Sequence, residues 1–260
     1  MAIITLITDH GTKDFYVSSV KGAIYSQFPE AKIIDITHEV PKFDIAQAAF
    51  ILRNAYKDFP EGTIHIIGVL PNVSSDSPHL AVQCDGQYFI GADNGIFSLI
   101  FDKTPDKIVE LNITYDSNFP RPIRDVFAKA ACHIARGGTL EVIGNPKSDI
   151  NEKSMFRAVV DNNTIRGTVI YVDNYGNVVT NISEPLFKEV GRGRPFTISF
   201  RFPGYDITKI SKSYNDVVES ERLALFGASN FLEIAINVGE ASGLLGLHLK
   251  DIVRVEFQDD

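Results

Sequence analysis

The first thirty residues constrain the fold more than any other part of the chain. An apolar run over residues 3–7 ends abruptly at the polar pair Thr8 and Asp9. From Tyr16 onward, apolar residues recur at helical spacing on one face. We therefore predict a strand, a short polar loop and a helix. Ligands of open α/β sheets bind where strands end and helices begin, so Asp9 is a candidate binding residue.

Asp9 also has a purely structural interpretation. An Asp in a loop that contains Gly11 is ordinary turn chemistry. The binding interpretation has a concrete mechanism, because a carboxylate at a strand end can accept hydrogen bonds from both hydroxyls of a ribose. The residues of this loop alone leave both interpretations open.

Composition and charge narrow the classes of function. The chain has 260 residues, enough for two domains, and 44% of them are hydrophobic. The net charge is -8 without a basic run, so neither nucleic acid nor a membrane surface is an expected partner. No apolar stretch is long enough to span a bilayer. Cys84 and Cys132 lack metal-ligand spacing and are expected to be buried thiols of a cytoplasmic protein. The histidines show no paired spacing, so no metal is expected.

Strand and helix patterns alternate in the N-terminal part. Further strands are predicted at 32–38 and 63–69, a helix begins after Asp44, and residues 80–91 indicate a hairpin around Asp85 and Gly86. Two prolines between residues 118 and 123 are expected to exclude helix there, so the next helix is predicted at 126–136. We predict an α/β domain, a mixed sheet with flanking helices, over residues 1–150.

The pattern changes in the C-terminal part. Periodicity fades near residue 150, and residues 151–163 are predicted to be a linker, with a short strand possible near Val159. From Thr164 onward, short strands separated by turns follow one another to the end of the chain. This pattern predicts a smaller all-β, barrel-like domain over residues 164–260.

Three loops carry candidate binding groups. Residues 70–79 follow a predicted strand and include three serines and His79, which could bind a polar ligand or form a solvated loop. The turn at 173–177 offers an aromatic ring to stack on a nucleobase and an amide to pair with it. The turn at 227–230 could offer N–H groups to a carboxylate. Both turns could equally be plain hairpin connections.

Six segments of the chain, taken together and in order, resemble one known family. They are Thr8-Asp9-His10-Gly11 with Asp14 and Lys21-Gly22, then 36–38, 91–95, 124–128, 173–182 and 232–237. The family is that of the S-adenosyl-L-methionine (SAM) hydroxide adenosyltransferases, or SAM hydrolases, which are related to the SAM-dependent fluorinases and chlorinases. The resemblance covers nearly the whole chain.

The resemblance implies a fold, an assembly and a set of ligand contacts. It implies an α/β domain, a barrel-like domain and a homotrimer with SAM bound between subunits. SAM would be the substrate or ligand, and no cofactor is implied. Asp9 would hold the ribose hydroxyls, and Phe43 would line the site. By the same resemblance, Asp173 would meet the methionine ammonium, Tyr175 would stack on adenine, Asn177 would hydrogen-bond it, and Ser229 would lie in the turn that binds the methionine carboxylate.

The chain departs from the family where the reacting water would be held. The hydrolases that it resembles use an Asp, an Arg and a His around this water, and the matching positions here hold Leu70, Ser77 and Pro122. The sequence favours SAM hydrolysis to adenosine and L-methionine by attack of water at the ribose C5′. The alternatives are a silent SAM- or adenosine-binding protein and adenosyl transfer to another nucleophile such as halide. Weak candidates for the replacement groups lie in the same loops: Ser74, Ser75, Ser77, His79 and Arg121.

Overall fold

A computed structural model of the chain describes residues 2–72, 74–115, 119–154, 157–201 and 204–259. The chain divides into two units, Met1–Met155 and Phe156–Asp260. In the described part of the first unit, the strands are β1 (Ile3–Thr8), β2 (Lys32–Thr37), β3 (Ile64–Gly68), β4 (His79–Cys84), β5 (Gln87–Ala92), β6 (Lys107–Leu111) and β7 (Gly144–Pro146). The helices are α1 (Tyr16–Gln27), α2 (Ile45–Ala55), α3 (Ile96–Ile100), α4 (Ala128–Ala135) and α5 (Leu140–Ile143).

These strands form one mixed sheet in the order β2-β1-β3-β5-β4-β6-β7. The first four of that order are parallel, and β4, β6 and β7 join by antiparallel pairing. The predicted α/β architecture is therefore confirmed. The predicted hairpin is confirmed too, because β4 and β5 meet at Asp85 and Gly86, whose φ angles of 51° and 72° suit a tight primed turn.

Helices cover both faces of this sheet. Along β3, Ile64 and Ile66 belong to one buried cluster with residues of α1 and α4, whereas Ile67 belongs to another with residues of α2 and α3. Side chains of a strand point alternately to its two faces, so a continuous apolar run requires apolar layers on both sides. The ends of the strands are then the places where polar groups of this unit can gather.

One helix begins earlier than the sequence analysis predicted. Pro122 is the N-cap of a π-helical turn, Ile123–Phe127, which continues directly into α4. The prediction that the prolines exclude helix here is wrong for Pro122. A proline is tolerated in the first turn, where a helix has no partner for its N–H groups.

The second unit is one curled antiparallel sheet. Its strands in the described residues are β8 (Val159–Asp161), β9 (Thr164–Val172), β10 (Val178–Ser183), β11 (Phe196–Phe200), β12 (Arg222–Phe226), β13 (Phe231–Ile236) and β14 (Ile252–Phe257). Their order is β11-β14-β9-β10-β13-β12, with β8 added to β9. Ile207 exchanges backbone hydrogen bonds with Ile198 of one edge strand, and Ser211 donates to Ala224 of the other. The segment between them therefore links the two edges.

In its described residues, two α-helices interrupt the domain that was predicted to be all β. They are α6 (Glu184–Gly191) and α7 (Ala241–Leu245). Ser183 caps α6, since its side chain accepts the N–H of Leu186, and Pro185 occupies the first turn. Ser followed by Pro in this spacing is a helix-start signal that the strand pattern obscured. In the predicted linker, β8 begins at Val159, and residues 155 and 156 lie outside the described residues.

Two further expectations concern the whole chain. Cys84 and Cys132 are buried and unpaired, as expected. Within the described ranges, no helix combines the length and apolar character needed to cross a membrane.

Gly68, at the end of β3, allows three segments to approach one another. A Cβ added there would lie 2.6 Å from Cδ1 of Ile123 and 2.9 Å from Cγ2 of Thr8. Both contacts are too short for a real side chain. The missing side chain of Gly68 therefore lets the start of the helix and the end of β1 meet the end of β3.

We expect Gly68→Ala to lower the free energy of unfolding by about 1–3 kcal/mol, because the added methyl overpacks a closed contact. Urea unfolding followed by circular dichroism measures this change. Gly22→Ala is the matched control: Gly22 is exposed in α1, with nothing within 4 Å of an added Cβ. That control is expected to gain up to about 1 kcal/mol. Wild-type stability in Gly68→Ala would contradict the close approach.

His65 of β3 makes stability depend on pH. Its Nε2 lies 2.6 Å from Oε1 of Gln87, whose amide donates to backbone carbonyls, so Nε2 carries the proton and Nδ1 accepts from Thr5 Oγ1 at 2.7 Å. Burial lowers the pKa of His65 to about 4, although the Gln87 hydrogen bond works in the other direction.

Between pH 4 and 6.5 the unfolded chain therefore binds a proton that folded His65 does not. We expect His65 to contribute up to about 3 kcal/mol of stability, fully present above pH 6.5 and lost as the pH falls toward 4. Urea unfolding at several pH values measures the slope. His65→Gln is expected to flatten it, and His248→Gln, at an exposed position, is expected to retain it. An unchanged slope in His65→Gln would refute the assignment.

Candidate functional site

The carboxyl ends of four parallel strands lie side by side in the first unit. Thr8 at the end of β1 pairs with Gly68 at the end of β3, and β5 runs parallel on the other side of β3. The loops that begin with Asp9 and Leu70 therefore leave the sheet at the same edge. This edge is where ligands of open α/β sheets bind.

Asp9 and Phe43 meet at this edge. The backbone N–H of Phe43 donates to Oδ2 of Asp9 at 2.9 Å. Phe43 has φ of 65° and is 68% exposed, an arrangement that costs a residue with a side chain about 1–2 kcal/mol. A bulky apolar residue kept in left-handed backbone and turned toward solvent is typical of a functional position. The structure thus joins the Asp9 carboxylate to the backbone of a residue whose aromatic side chain is exposed.

A chain of polar contacts fixes the loop that carries Asp9. Lys21 Nζ lies 2.5 Å from Asp35 Oδ2, and His38 Nε2 lies 3.1 Å from Asp35 Oδ1. The other ring nitrogen of His38 lies 2.8 Å from Thr8 Oγ1, and the N–H of His10 donates to the same oxygen at 3.3 Å. Thr8 Oγ1 therefore connects the His38 ring to the backbone of His10, and Asp35 connects the same ring to Lys21.

In this series of contacts, the acidic Asp35 lies between two basic side chains. Partial burial opposes ionisation of Asp35, but the hydrogen bonds from Lys21 and His38 outweigh it and lower the pKa of the carboxyl. Sequence reasoning quoted Lys21 and His38 only as parts of motifs and gave neither a role. One feature of the sequence could have indicated a role for His38. It directly follows β2, and the neighbouring strand β1 ends at Thr8.

Leu70 follows β3 in strained backbone. Its φ is 47° and its side chain is 37% exposed. The side-chain amide of Asn94 donates to the carbonyl oxygens of Val69 and Leu70, at 3.3 and 3.1 Å. The loop after β5 therefore holds the loop after β3 in place. Leu70 presents an apolar group where a hydrogen-bonding side chain was expected from the resemblance.

The serines of the next loop differ in environment. Ser74 and Ser77 exchange two backbone hydrogen bonds, which makes residues 74–77 a tight turn. Ser74 and Ser75 are exposed, and Ser75 Oγ donates to Asp76. The Oγ of Ser77 is buried and has no hydrogen-bond partner within the described ranges. Of the three serines, Ser77 alone keeps an unused polar atom inside the protein.

Asn151 anchors this turn to the end of the sheet. Its side-chain amide donates to the carbonyl of Asp76, and its backbone N–H donates to Oδ1 of the buried Asp93 at 2.9 Å. Burial raises the pKa of Asp93 despite the Asn151 hydrogen bond and the ammonium of Lys147, 3.8 Å away. These contacts give a structural role to residues that the sequence placed in or beside a linker.

The ring of His79 and the backbone of Arg121 make structural contacts. His79 Nε2 donates to the carbonyl of Pro71 at 2.8 Å, the ring packs on Phe127, and burial lowers its pKa. The backbone N–H of Arg121 donates to Oδ2 of the buried Asp125 at 3.1 Å. His79 therefore fixes the start of its loop, and Asp125 fixes the segment before the helix.

In the second unit, Asp173 and Asn177 bind each other. Oδ1 of Asp173 accepts the backbone N–H groups of Tyr175 and Asn177, at 2.9 and 2.8 Å, and Oδ2 accepts the Asn177 amide at 3.0 Å. The turn projects the Tyr175 ring, which is 77% exposed. A ligand contact would therefore use the remaining lone pair on Oδ2 of Asp173 and the amide oxygen of Asn177.

Sequence reasoning missed a buried acid near this turn. Tyr214 OH donates to Oε1 of Glu233 at 2.7 Å. Burial raises the pKa of Glu233, and the charge of Asp173 adds to the effect against the Tyr214 hydrogen bond. A Cβ added at Gly227 would lie 2.8 Å from Glu233 Oε2, so this acid also touches the turn that carries Ser229. The sequence did indicate a special role for Glu233, because it is an acidic residue within the otherwise apolar strand β13.

In the described part of the chain, no three His, Cys, Asp or Glu side chains gather as a metal site would require.

The chain matches two protein-family models. These describe the SAM hydroxide adenosyltransferase N-terminal domain, matched over residues 4–144, and its C-terminal domain, matched over residues 167–254. Together they cover most of the chain. They fall on the α/β unit and on the antiparallel unit respectively.

Curated relatives and a solved structure agree with this match. An (R)-S-adenosyl-L-methionine hydrolase of Methanocaldococcus jannaschii is 27% identical over 98% of this chain and 96% of its own length. The protein of the same name from Thermus thermophilus is 29% identical over 95% and 96%. A fluorinase of Nocardia brasiliensis is 24% identical over 74% of each. An uncharacterized conserved protein from Thermotoga maritima superposes with a TM-score of 0.85 at 30% identity, covering 98% of this chain and 99% of its own.

We expect Phe43→Gly to raise the free energy of unfolding by up to about 1 kcal/mol, because it relieves left-handed backbone strain that exceeds the entropy cost of glycine. Thermal and urea unfolding measure the change. Phe15→Gly is the control, since Phe15 is 64% exposed but has φ of -76°, and that variant is expected to lose stability. Equal losses in both variants would contradict strain at Phe43.

Proposed function

This chain belongs to the SAM hydroxide adenosyltransferase family, and from that premise we propose that it is a SAM hydrolase. It converts SAM and water to adenosine and L-methionine. The observation that supports the proposal is the hydrogen bond between Asp9 and Phe43 at the end of β1. It joins a carboxylate for the ribose hydroxyls to a residue whose aromatic side chain is exposed. Asp9 is held by this hydrogen bond from the Phe43 backbone.

The reaction is a nucleophilic substitution at the ribose C5′. The water oxygen bonds to C5′, the bond from C5′ to sulfur breaks, and its electron pair leaves with methionine as a neutral thioether. One proton of the water is released. Because the sulfonium is already a good leaving group, the protein does not need to protonate it. Its tasks are to strip the water of other contacts and to hold it opposite the C–S bond.

The remaining ligand contacts are part of the proposal. Asp173 meets the methionine ammonium, Tyr175 stacks on adenine, Asn177 hydrogen-bonds adenine, and the turn with Ser229 binds the methionine carboxylate. The exposure of Tyr175 supports its role. The carboxylate of Asp173 supplies the negative charge that an ammonium group requires.

Few side chains here could replace the Asp, Arg and His that the resembled hydrolases place around the reacting water. Leu70 and Pro122 cannot hydrogen-bond a water through their side chains, and losing a positioned acid or base costs roughly 10²–10⁴ in rate. Of the five weak candidates, Ser77 fits best, because its hydroxyl is buried without a partner in the part of the chain that the structure describes. The apolar Leu70 also favours a second candidate function, a protein that binds SAM or adenosine without turnover.

Further properties complete the proposal. We propose a homotrimer with sites between subunits, SAM as substrate without a cofactor, and a C-terminal sheet that closes into a barrel-like domain. The link between its edge strands through Ile207 and Ser211 supports that closure. We also propose a cytoplasmic location, which the unpaired Cys84 and Cys132 support.

We expect purified protein to release adenosine and methionine from SAM in equal amounts above the spontaneous rate in chloride-free buffer. Chromatography measures both products. Asp9→Asn is expected to weaken SAM binding at least tenfold, because the neutral amide loses charge-assisted bonds to the ribose, yet it can still accept from Phe43. Asp58→Asn, at an exposed acid after α2, is the control.

The same assay separates the alternatives. Tight binding of SAM by calorimetry without product would favour the silent binding protein. A chlorinated nucleoside formed only with chloride would favour halide transfer. Unchanged affinity for SAM in Asp9→Asn would refute the role of Asp9 at the ribose. An absence of SAM binding by the wild type would refute both SAM hydrolysis and SAM binding without turnover.

A further inference from the structure

His10 carries a buried ring nitrogen that is not satisfied by the protein. Its Nδ1 is inaccessible to solvent and has no hydrogen-bond partner among the described residues. A buried polar atom without a partner costs about 1–3 kcal/mol, so such atoms are rare and often serve a ligand. His65 and His79, by contrast, use their rings to bind Gln87 and Pro71.

One contact holds the backbone of His10 and another holds its ring. Its backbone N–H donates to Thr8 Oγ1, which also contacts the ring of His38. Its ring packs against Tyr16 of α1 with 5.3 Å between centroids. A fixed imidazole with an unused nitrogen is preorganised to hold a small polar molecule.

His10 also lies next to the residue that is proposed to hold the substrate. It follows Asp9 directly, and in the proposed function Asp9 holds the ribose hydroxyls. C5′ is joined through C4′ to the carbon that bears the 3′ hydroxyl. A ribose anchored at Asp9 therefore brings its reacting carbon close to the loop that carries His10. Leu70 leaves from the neighbouring strand and can exclude water from one side without binding it.

The protonation state of His10 suits a base. Burial lowers the pKa of His10, the Asp9 charge works against this, and His38 adds to the lowering. The titratable groups that face the ring are Asp9 on its own loop, Tyr16 on α1 and His38 after β2. The imidazole is therefore neutral at pH 7, and the positive sulfonium of SAM favours the neutral form further. A neutral imidazole can offer one nitrogen lone pair to a water.

We propose that Nδ1 of His10 binds the nucleophilic water of SAM hydrolysis and accepts its proton; this inference rests on the proposed function. With the ring hydrogen on Nε2, the Nδ1 lone pair accepts one water O–H. As the water oxygen bonds to C5′ and the C5′–S pair leaves with methionine, that proton passes to Nδ1. The imidazolium, stabilised by Asp9, then returns the proton to water once adenosine and methionine have left the site. His10 thus supplies the polar group that Leu70 and Pro122 do not.

Two substitutions test this role. His10→Phe keeps an aromatic ring against Tyr16 but removes both nitrogens, and His10→Asn keeps a hydrogen-bonding group near the Nδ1 position but cannot take up a proton at pH 7. We expect kcat to fall roughly 10²–10⁴-fold in His10→Phe and less in His10→Asn. The KM for SAM and the calorimetric affinity for adenosine are expected to stay within about threefold of wild type. His248→Asn, at an exposed histidine, is the matched control.

The pH profile separates a base from a merely structural residue. In the wild type, kcat is expected to fall in acid, at a pH below the ordinary titration range of histidine, because burial lowers the pKa of His10 and protonation removes the lone pair. This acid limb is expected to vanish in His10→Asn. Wild-type kcat in both variants, or an acid limb that persists in them, would overturn the role of His10 while leaving SAM hydrolysis in place. A wild type that does not hydrolyse SAM would overturn the proposed function and this inference together. If His10→Phe does not fold, as judged by thermal unfolding, His10→Asn alone decides.

Discussion

The parallel pairing of β1 with β3 is the constraint on which the candidate site depends. Because Thr8 lies opposite Gly68, the loops that follow both strands leave the sheet at one edge. Gly68 has no side chain, so Ile123 and Thr8 can close on the end of β3. The start of the helix that follows Pro122 is therefore brought to the edge where Asp9 lies. A different register would separate these segments, since a shift of one residue turns every side chain of a strand to the other face.

Energetically unfavourable features concentrate at this same edge. Phe43 and Leu70 adopt left-handed backbone, and the polar atoms of His10 and Ser77 lack partners in the described part of the chain. Each feature opposes folding, and the two apolar layers of the α/β unit must outweigh them. Away from the site the same unit satisfies its polar groups, as the contacts of His65 show. This contrast is typical of binding and catalytic sites.

The chemistry of a sulfonium substrate makes modest demands on the protein. Methionine leaves without protonation, so alignment and a dry environment provide most of the assistance. An apolar Leu70 at the end of β3 is compatible with such chemistry. Whether such a protein only binds SAM or also hydrolyses it efficiently then depends on one polar atom, such as Nδ1 of His10, that positions a water at C5′.

The sequence by itself determined the strand, loop and helix around Asp9, the mixed α/β architecture and the family. These follow from side-chain periodicity and turn residues, which act over a few neighbouring positions, and from motifs kept in order along the chain. Sequence reasoning failed at α6 and at Pro122, where helix-start signals lay beside strand patterns or a second proline. Only the tertiary structure decided that Asp9 holds the backbone of Phe43, that Asn94 supports Leu70, and that the His10 nitrogen is buried without a partner among the described residues. Each depends on segments that are distant in sequence and meet only when the sheet assembles, so no local pattern records them.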